Sequence, residues 1–327
     1  MIATTRSHSR PLLLAGIPRS GTTWTMQVLG ADPNLDALLE PDNEGTSAPA
    51  IWGKKAAGRF PALQPGDHDQ RYHGLWSWIL EGAPRSVRLR LAAQILRPVQ
   101  PPGRTRFLQG RRVPLMTIAG AIASHPGGGT SSELRNKRLL VKSVHAPLAL
   151  EWLAEEFDMD VLVLLRHPGN VLSSWLALNL NEQFIRLEEN AAVRSRLLNS
   201  WGVTAPGPDH LERMLFSIGV LSTALEQAAS RNPRWLIRTH EQLCSDPGRE
   251  FKKLYADLGL TWSEAVEAFL VGNDRPGEGF FTQRVAAELP DNWKRRLTSQ
   301  QIAVMQRVLS QFPLRTWTSE DFLATGA

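Results

Sequence analysis

Two glycines separated by four residues, Gly16 and Gly21, stand in "PLLLAGIPRSGTTW", the first closing a short apolar run and the second opening a helix-like stretch. This spacing suits a loop whose backbone N–H groups wrap an anion at the positive end of a helix. A loop of the nucleotide-hydrolysing type places a lysine and then a hydroxyl residue directly after the second glycine. Here Thr22 and Thr23 stand in those places, and Arg19 is the loop's one cation. Backbone N–H groups from Arg19 through Ser20, Gly21 and Thr22 to Thr23 can hold a phosphate or sulfate, with the two threonine hydroxyls as extra donors. The residues suit an anion bound without a metal.

A loop of this kind works only at the end of a strand. Four apolar runs read as buried parallel strands: "PLLLAG" (11–16), "RLLVKS" (138–143), "DVLVLLR" (160–166) and "RWLIRT" (234–239). Helical or loop segments separate them, which predicts an α/β fold with a central parallel sheet flanked by helices. Candidate helices cover Gly21 to Gly30, 170–180, 209–231 with Asp209 as its cap, 247–260 with Pro247 at its start, and 299–312. Open sheets of this class bind ligands at the carboxyl ends of their strands. Those ends deliver Arg19, Lys142, Arg166 and Arg238, a ring of cations suited to an anion. Mg²⁺-dependent phosphoryl transfer usually needs an aspartate ending a strand beside the loop. "DVLVLLR" ends in arginine instead, and Asp158 and Asp160 precede it.

The remaining composition narrows the classes. With 42% hydrophobic and 21% charged residues the chain reads as globular, and one cysteine, Cys244, excludes a disulfide framework. No apolar run approaches the roughly 20 residues of a membrane helix. The N-terminal leucines form too short a run for a signal peptide and lead straight into the glycine loop, which predicts a cytoplasmic protein. The 327 residues read as a single domain, with 41–135 as a Gly-, Pro- and Trp-rich insertion over the substrate side and 313–327 as a C-terminal tail. Net charge is +5, and Arg85 to Arg112 holds eight arginines and no acid. That stretch lacks the interleaved aromatics of a single-strand binder, so no nucleic-acid partner is expected. It reads as a solvated face or as a contact for an anionic small molecule or glycan. Trp52, Trp76 and Trp78 read as packing residues or as a ring-stacking wall.

"GIPRSGTTW" followed by "LLRHPGNVLSSW" resembles the sulfotransferases that use 3′-phosphoadenosine 5′-phosphosulfate (PAPS) and release adenosine 3′,5′-bisphosphate (PAP). "IRTHEQLCSDPGREFKKLYADLGL" and "NWKRRLTSQQ" extend the resemblance over most of the chain outside the insertion. It implies that the first motif cradles the 5′-phosphosulfate and that Arg166, with Ser174 eight residues later, meets the 3′-phosphate. It also implies that Trp24 lies against adenine; the residue alone reads equally as a core tryptophan of the first helix. Two departures stand out. The family's "RKG" tripeptide is absent before "NWK", which leaves Arg284 as its stand-in, and "VKSVHAP" has one more residue between Lys142 and His145 than the "KTHLP"-like segment of hormone and phenol sulfotransferases.

Sulfuryl transfer is an in-line displacement at sulfur that puts charge on the departing phosphate's bridging oxygen, so it needs fixed cations there and a base for the attacking hydroxyl. The resemblance implies Arg19 and Lys142 for the charge. Two residues are candidates for the base: His145, and Glu40, which lies 21 residues after Arg19 in an "EP" step found in tyrosylprotein, bacterial and glycan sulfotransferases. The implied acceptor is a hydroxyl or amine of a small natural product, lipid or glycan, with no metal. A P-loop small-molecule kinase and an inactive nucleotide-binding module are the alternatives.

Overall fold

The computed structural model describes residues 10–81, 105–108, 111–114, 137–180, 186–273, 289–318 and 320–322. Its sheet is built from the apolar runs. Strand β1 (Leu12–Gly16) is buried throughout, and β5 (Arg138–Ser143) and β6 (Asp160–Leu165) are buried over their last four and five residues. With β2 (Leu35–Leu39) and β7 (Leu236–Thr239) they form an all-parallel sheet of order β2-β5-β1-β6-β7. β3 (Thr105–Leu108) and β4 (Arg111–Pro114) pair separately as an antiparallel hairpin.

Alternation along β1 divides the core in two. Leu12 and Leu14 face a cluster with α1 (Thr22–Leu29), α7 (His240–Ser245), α8 (Pro247–Asp257) and α9 (Glu264–Asn273). Leu13 and Ala15 face a larger cluster with α3 (Gln70–Glu81), α4 (Leu150–Phe157), α5 (Pro168–Ala177), α6 (His210–Arg231), α10 (Asn292–Arg296) and α11 (Ser299–Leu309). A short α2 (Ala48–Gly53) precedes α3. The helix leaving β1 lies on one face, and the helices leaving its neighbours β5 and β6 lie on the other. Connections therefore diverge at the carboxyl end of β1, which is where sheets of this class open a ligand crevice.

Two differences from the sequence expectation have physical causes. β2 is an additional strand: "LDALL" is short, carries Asp36 and lies at the sheet edge, where Leu39 is 54% exposed. α5 starts at Pro168, two residues earlier than expected, because His167 caps it by accepting from the Gly169 N–H (3.1 Å). Tyr72, Trp76 and Phe60, inside the expected insertion, belong to the main core. The expected tail is packed as far as Phe322, with Trp317 and Phe322 buried and the Arg315 N–H bonded to Glu226 (2.7 Å). The cap expected at Asp209 is present, its carboxylate accepting from the Glu212 N–H (2.9 Å).

Candidate active site

The glycine loop ends on α1 with Gly21 as N-cap, at φ 92°, with no side-chain cap and no acidic residue in the first turn. First-turn N–H groups of a helix have no acceptor within the helix, so the positive end of α1 is open to an anion. The Ser20 N–H is already committed, closing a turn on the Ile17 carbonyl (3.1 Å) and leaving a fully buried Ser20 hydroxyl with no protein partner. Thr22 is buried, and Thr23 is partly exposed.

Arg19 takes the left-handed conformation, φ 72°. Its Nε donates to the Ser174 hydroxyl (3.0 Å), and its carbonyl accepts from Arg166 Nη1 (2.7 Å). One residue on, Trp175 Nε1 donates to the Pro18 carbonyl (2.9 Å). The loop is thus hydrogen-bonded both to Arg166, just before α5, and to the second half of α5, with Arg19 and Ser174 lying 155 residues apart in sequence.

His240, the first residue of α7, backs the loop. A Cβ on Gly21 would fall 2.1 Å from its ring, and burial, followed by the charge of Arg166, holds the imidazole neutral. Trp24 meets His240 and Phe251 edge-on, at 5.8 and 4.9 Å between ring centroids, and is partly exposed.

Glu40 lies just past β2, at φ 45°. Its N–H extends the sheet by donating to the Lys142 carbonyl (2.9 Å). One carboxylate oxygen pairs with Lys142 Nζ and the other accepts from Asn43 Nδ2 (2.7 Å). Lys142, at the end of β5, is 2% exposed; burial pushes its ammonium below the usual lysine range, Glu40 opposes this, and Arg19 is near enough to add to it. Arg19, Lys142 and Glu40 therefore share one electrostatic site.

His145 is 1% exposed, packs against Phe60 at 5.5 Å, and has no partner on either ring nitrogen. Burial, reinforced by Lys54, Arg59 and Lys142, keeps it neutral.

Behind Glu40 lies a group that sequence reasoning missed. Ser143 Oγ donates to Asp42 (2.6 Å) and accepts from the N–H groups of His145 (3.0 Å) and Ala146 (3.1 Å). Lys54 donates to the Asp42 carbonyl (3.1 Å) and pairs with Glu44 (3.0 Å). The density of polar residues in "EPDNE" was the one available signal.

Arg238 departs from the expected ring of cations: it pairs with Asp257 on α8 and not with the loop. Arg284 and most of the arginine-rich stretch lie outside the described residues. Trp76 is buried in the core, whereas Trp52 is 56% exposed with Arg71 over its ring (5.8 Å).

The C-terminal "NWK" segment closes on the start of α5. Asn170 Nδ2 donates to the Pro290 carbonyl (2.8 Å), the Trp293 N–H donates to Asn170 Oδ1 (3.2 Å), and Trp293 stacks on His167 at 4.8 Å and 13°. Only glycine fits at 169, where a Cβ would lie 2.7 Å from the indole. The half-buried Glu241 completes the joint, accepting from the His167 N–H (3.1 Å) and Asn170 Nδ2 (3.0 Å).

Among the described residues no helix is long and apolar enough to cross a membrane, and no cluster of three or more His, Cys, Asp or Glu could hold a metal ion. A search of curated proteins finds no match. Similar solved structures include a sulfotransferase domain from the curacin biosynthetic pathway (14% identity, TM-score 0.46, 94% of this chain and 100% of that one). Others are sulfotransferase STF9 from Mycobacterium avium (14%, 0.39, 94% and 78%) and mouse sulfotransferase SULT7A1 complexed with PAP (12%, 0.39, 93% and 85%). The family model described as "Sulfotransferase family" matches residues 11–264, most of the chain and all of the loop, Glu40, Lys142 and the Arg166–Ser174 pair. The chain belongs to the sulfotransferase family.

Proposed function

We propose that this chain transfers a sulfuryl group from PAPS to a hydroxyl or amine of a small-molecule, lipid or glycan acceptor, with its own cations supplying the charge stabilisation. The observation that carries this reading is the joining of Arg19, Arg166 and Ser174 into one unit at the open end of α1, with the Lys142–Glu40 pair beside it. In this reading the first turn of α1, with Thr22 and Thr23, takes the 5′-phosphosulfate, and Arg166 and Ser174 take the 3′-phosphate. Trp24 borders the adenine.

The acceptor hydroxyl gives its proton to Glu40 as its oxygen bonds to sulfur. The bond from sulfur to the bridging oxygen breaks, and its electron pair leaves with PAP, next to Arg19 and Lys142. In the free protein Lys142 rests on Glu40. A bound phosphosulfate competes for that ammonium and turns the carboxylate toward the acceptor.

The test is transfer from ³⁵S-labelled PAPS to lipid, glycan and phenolic extracts in the presence of EDTA. A labelled product is expected. Glu40→Gln should cut turnover at least a hundredfold, the usual worth of a positioned base, and Arg19→Ala about a hundredfold. Near-normal turnover in Glu40→Gln with loss in His145→Ala would move the base to His145. Metal-dependent phosphate transfer from ATP, or PAP binding with no turnover on any acceptor, would overturn the reading itself.

A further inference from the structure

His167 directly follows Arg166, the proposed 3′-phosphate contact, and is held on its backbone N–H, on both ring nitrogens and on one ring face. The N–H donates to Glu241 (3.1 Å), and Nδ1 accepts from the Gly169 N–H (3.1 Å). Because Nδ1 accepts, the ring proton sits on Nε2 and is donated to the Asp321 carbonyl (3.1 Å). Beyond the stack on Trp293, Trp317 and Phe322 meet the imidazole edge-on, at 5.9 and 5.7 Å between ring centroids. Three of these contacts come from residues 317–322, about 150 positions away in sequence. That segment is itself tied down. The Asp321 carboxylate accepts from the Thr318 N–H (2.7 Å) and hydroxyl (3.0 Å), and the Asp321 N–H donates to the Thr318 carbonyl (3.1 Å). Glu226 on α6 accepts from the Arg315 and Thr316 N–H groups (2.7 and 3.3 Å), and Gln306 on α11 donates to the Phe322 carbonyl (3.1 Å).

The two residues assigned to the 3′-phosphate are fixed by different parts of the molecule. Ser174, in the second half of α5, is bonded to the glycine loop through Arg19. Arg166 precedes the other end of α5, where the backbone is framed by Trp293, Glu241 and the Asp321 turn. A long side chain magnifies any error in the backbone that carries it, so a binding cation needs that backbone locked by its neighbours. We propose that His167 is a positioning residue, held by the Asp321 turn, that sets Arg166 for the 3′-phosphate, so that the preference for a 3′-phosphorylated nucleotide depends on residues 317–322. The inference rests on the reading of Arg166 as the 3′-phosphate contact.

The test is calorimetric binding of PAP and of adenosine 5′-monophosphate, which lacks the 3′-phosphate, to the full-length protein. The ratio of the two dissociation constants measures the preference. The parent protein should prefer PAP, and Arg166→Ala should lose most of that preference. His167→Asn keeps an acceptor for the Gly169 N–H but neither the stack on Trp293 nor the bond to Asp321. It should reduce the preference about tenfold or more, the usual worth of a hydrogen bond to a charged group, with adenosine 5′-monophosphate binding nearly unchanged. Asp321→Ala alters an exposed side chain and loosens the turn; it should reduce the preference about threefold. Asp321→Asn retains an acceptor for Thr318 and should restore it. The Asp321 pair decides the matter if His167→Asn does not fold. Equal weakening of both nucleotides, an unchanged preference in His167→Asn or Asp321→Ala, or the same loss in Asp321→Asn would each overturn the proposal while Arg166→Ala still loses the preference. A parent protein without preference, or an Arg166→Ala protein that keeps it, would instead overturn the reading of Arg166 and this inference with it.

Discussion

Arg19 and Glu40, at φ 72° and 45°, are two of the four described non-glycine residues with left-handed backbone. Such conformations cost on the order of 1–3 kcal/mol and persist where surrounding bonds over-determine them. Here the Arg166 and Ser174 bonds fix Arg19, and the Lys142 and Asn43 bonds fix Glu40. Gly21 shares the left-handed region and also touches His240. Gly21→Ala should therefore weaken PAP binding at least tenfold by calorimetry: a side chain there costs roughly 1–2 kcal/mol in backbone conformation alone, and the ring must also move. Adding His240→Ala should recover only the steric part; full recovery would show that φ does not matter. In the sequence Arg19 and Lys142 stood out by residue type at the ends of apolar runs, whereas Glu40 and Ser174 were singled out through the family resemblance. Asp42, Ser143, Lys54 and His240 were not legible, because a short polar side chain or a lone histidine acquires its role from what folds against it.

At the scale of elements, strands buried on both faces announce themselves as unbroken apolar runs, which is why β1, β5 and β6 were readable to within a residue. The edge strand β2 was not, since one exposed edge removes the need for such a run. The joint between α5 and α10 was also invisible, because its stacking pairs residues 126 positions apart. Its pH dependence follows from His167. Burial lowers this imidazole from 6.5 to about 4, so the folded joint prefers it neutral. A depressed folded pKa gives stability that is complete above the unfolded pKa and is lost as pH falls through the folded one. Hydrogen exchange at 292–296, corrected for intrinsic rate, should accelerate relative to the rest of the core between about pH 6.5 and 4. His167→Phe keeps an aromatic face on Trp293 but removes the titration, and should abolish that pH dependence even if it raises exchange overall. The same acceleration in both proteins would rule His167 out as its source.

At the scale of the whole molecule, the site draws on both sides of β1: Glu40 and Lys142 come from the β2–β5 side, and Arg166 and Ser174 from the β6 side. That arrangement forces ionisable groups to the protein's centre, and the molecule bears a stability cost for it. Asp42 shows the cost most directly. Burial raises its carboxyl from 3.8 to about 6, more than the charge of Lys54 and the Ser143 bond can offset. A raised folded pKa gives stability that is present below the unfolded value and lost as pH rises through the folded one. The loss spans about pH 4 to 6 and, from the size of the shift, amounts to about 3 kcal/mol. Asp42→Asn keeps the shape and an acceptor for Ser143 but nothing to ionise. Its thermal midpoint should therefore rise against that of the parent protein as pH goes from 4 to 8, by about 5 °C or more for a chain of this size. Calorimetry at the two pH values checks this, and a difference between the proteins that does not change with pH would count against it.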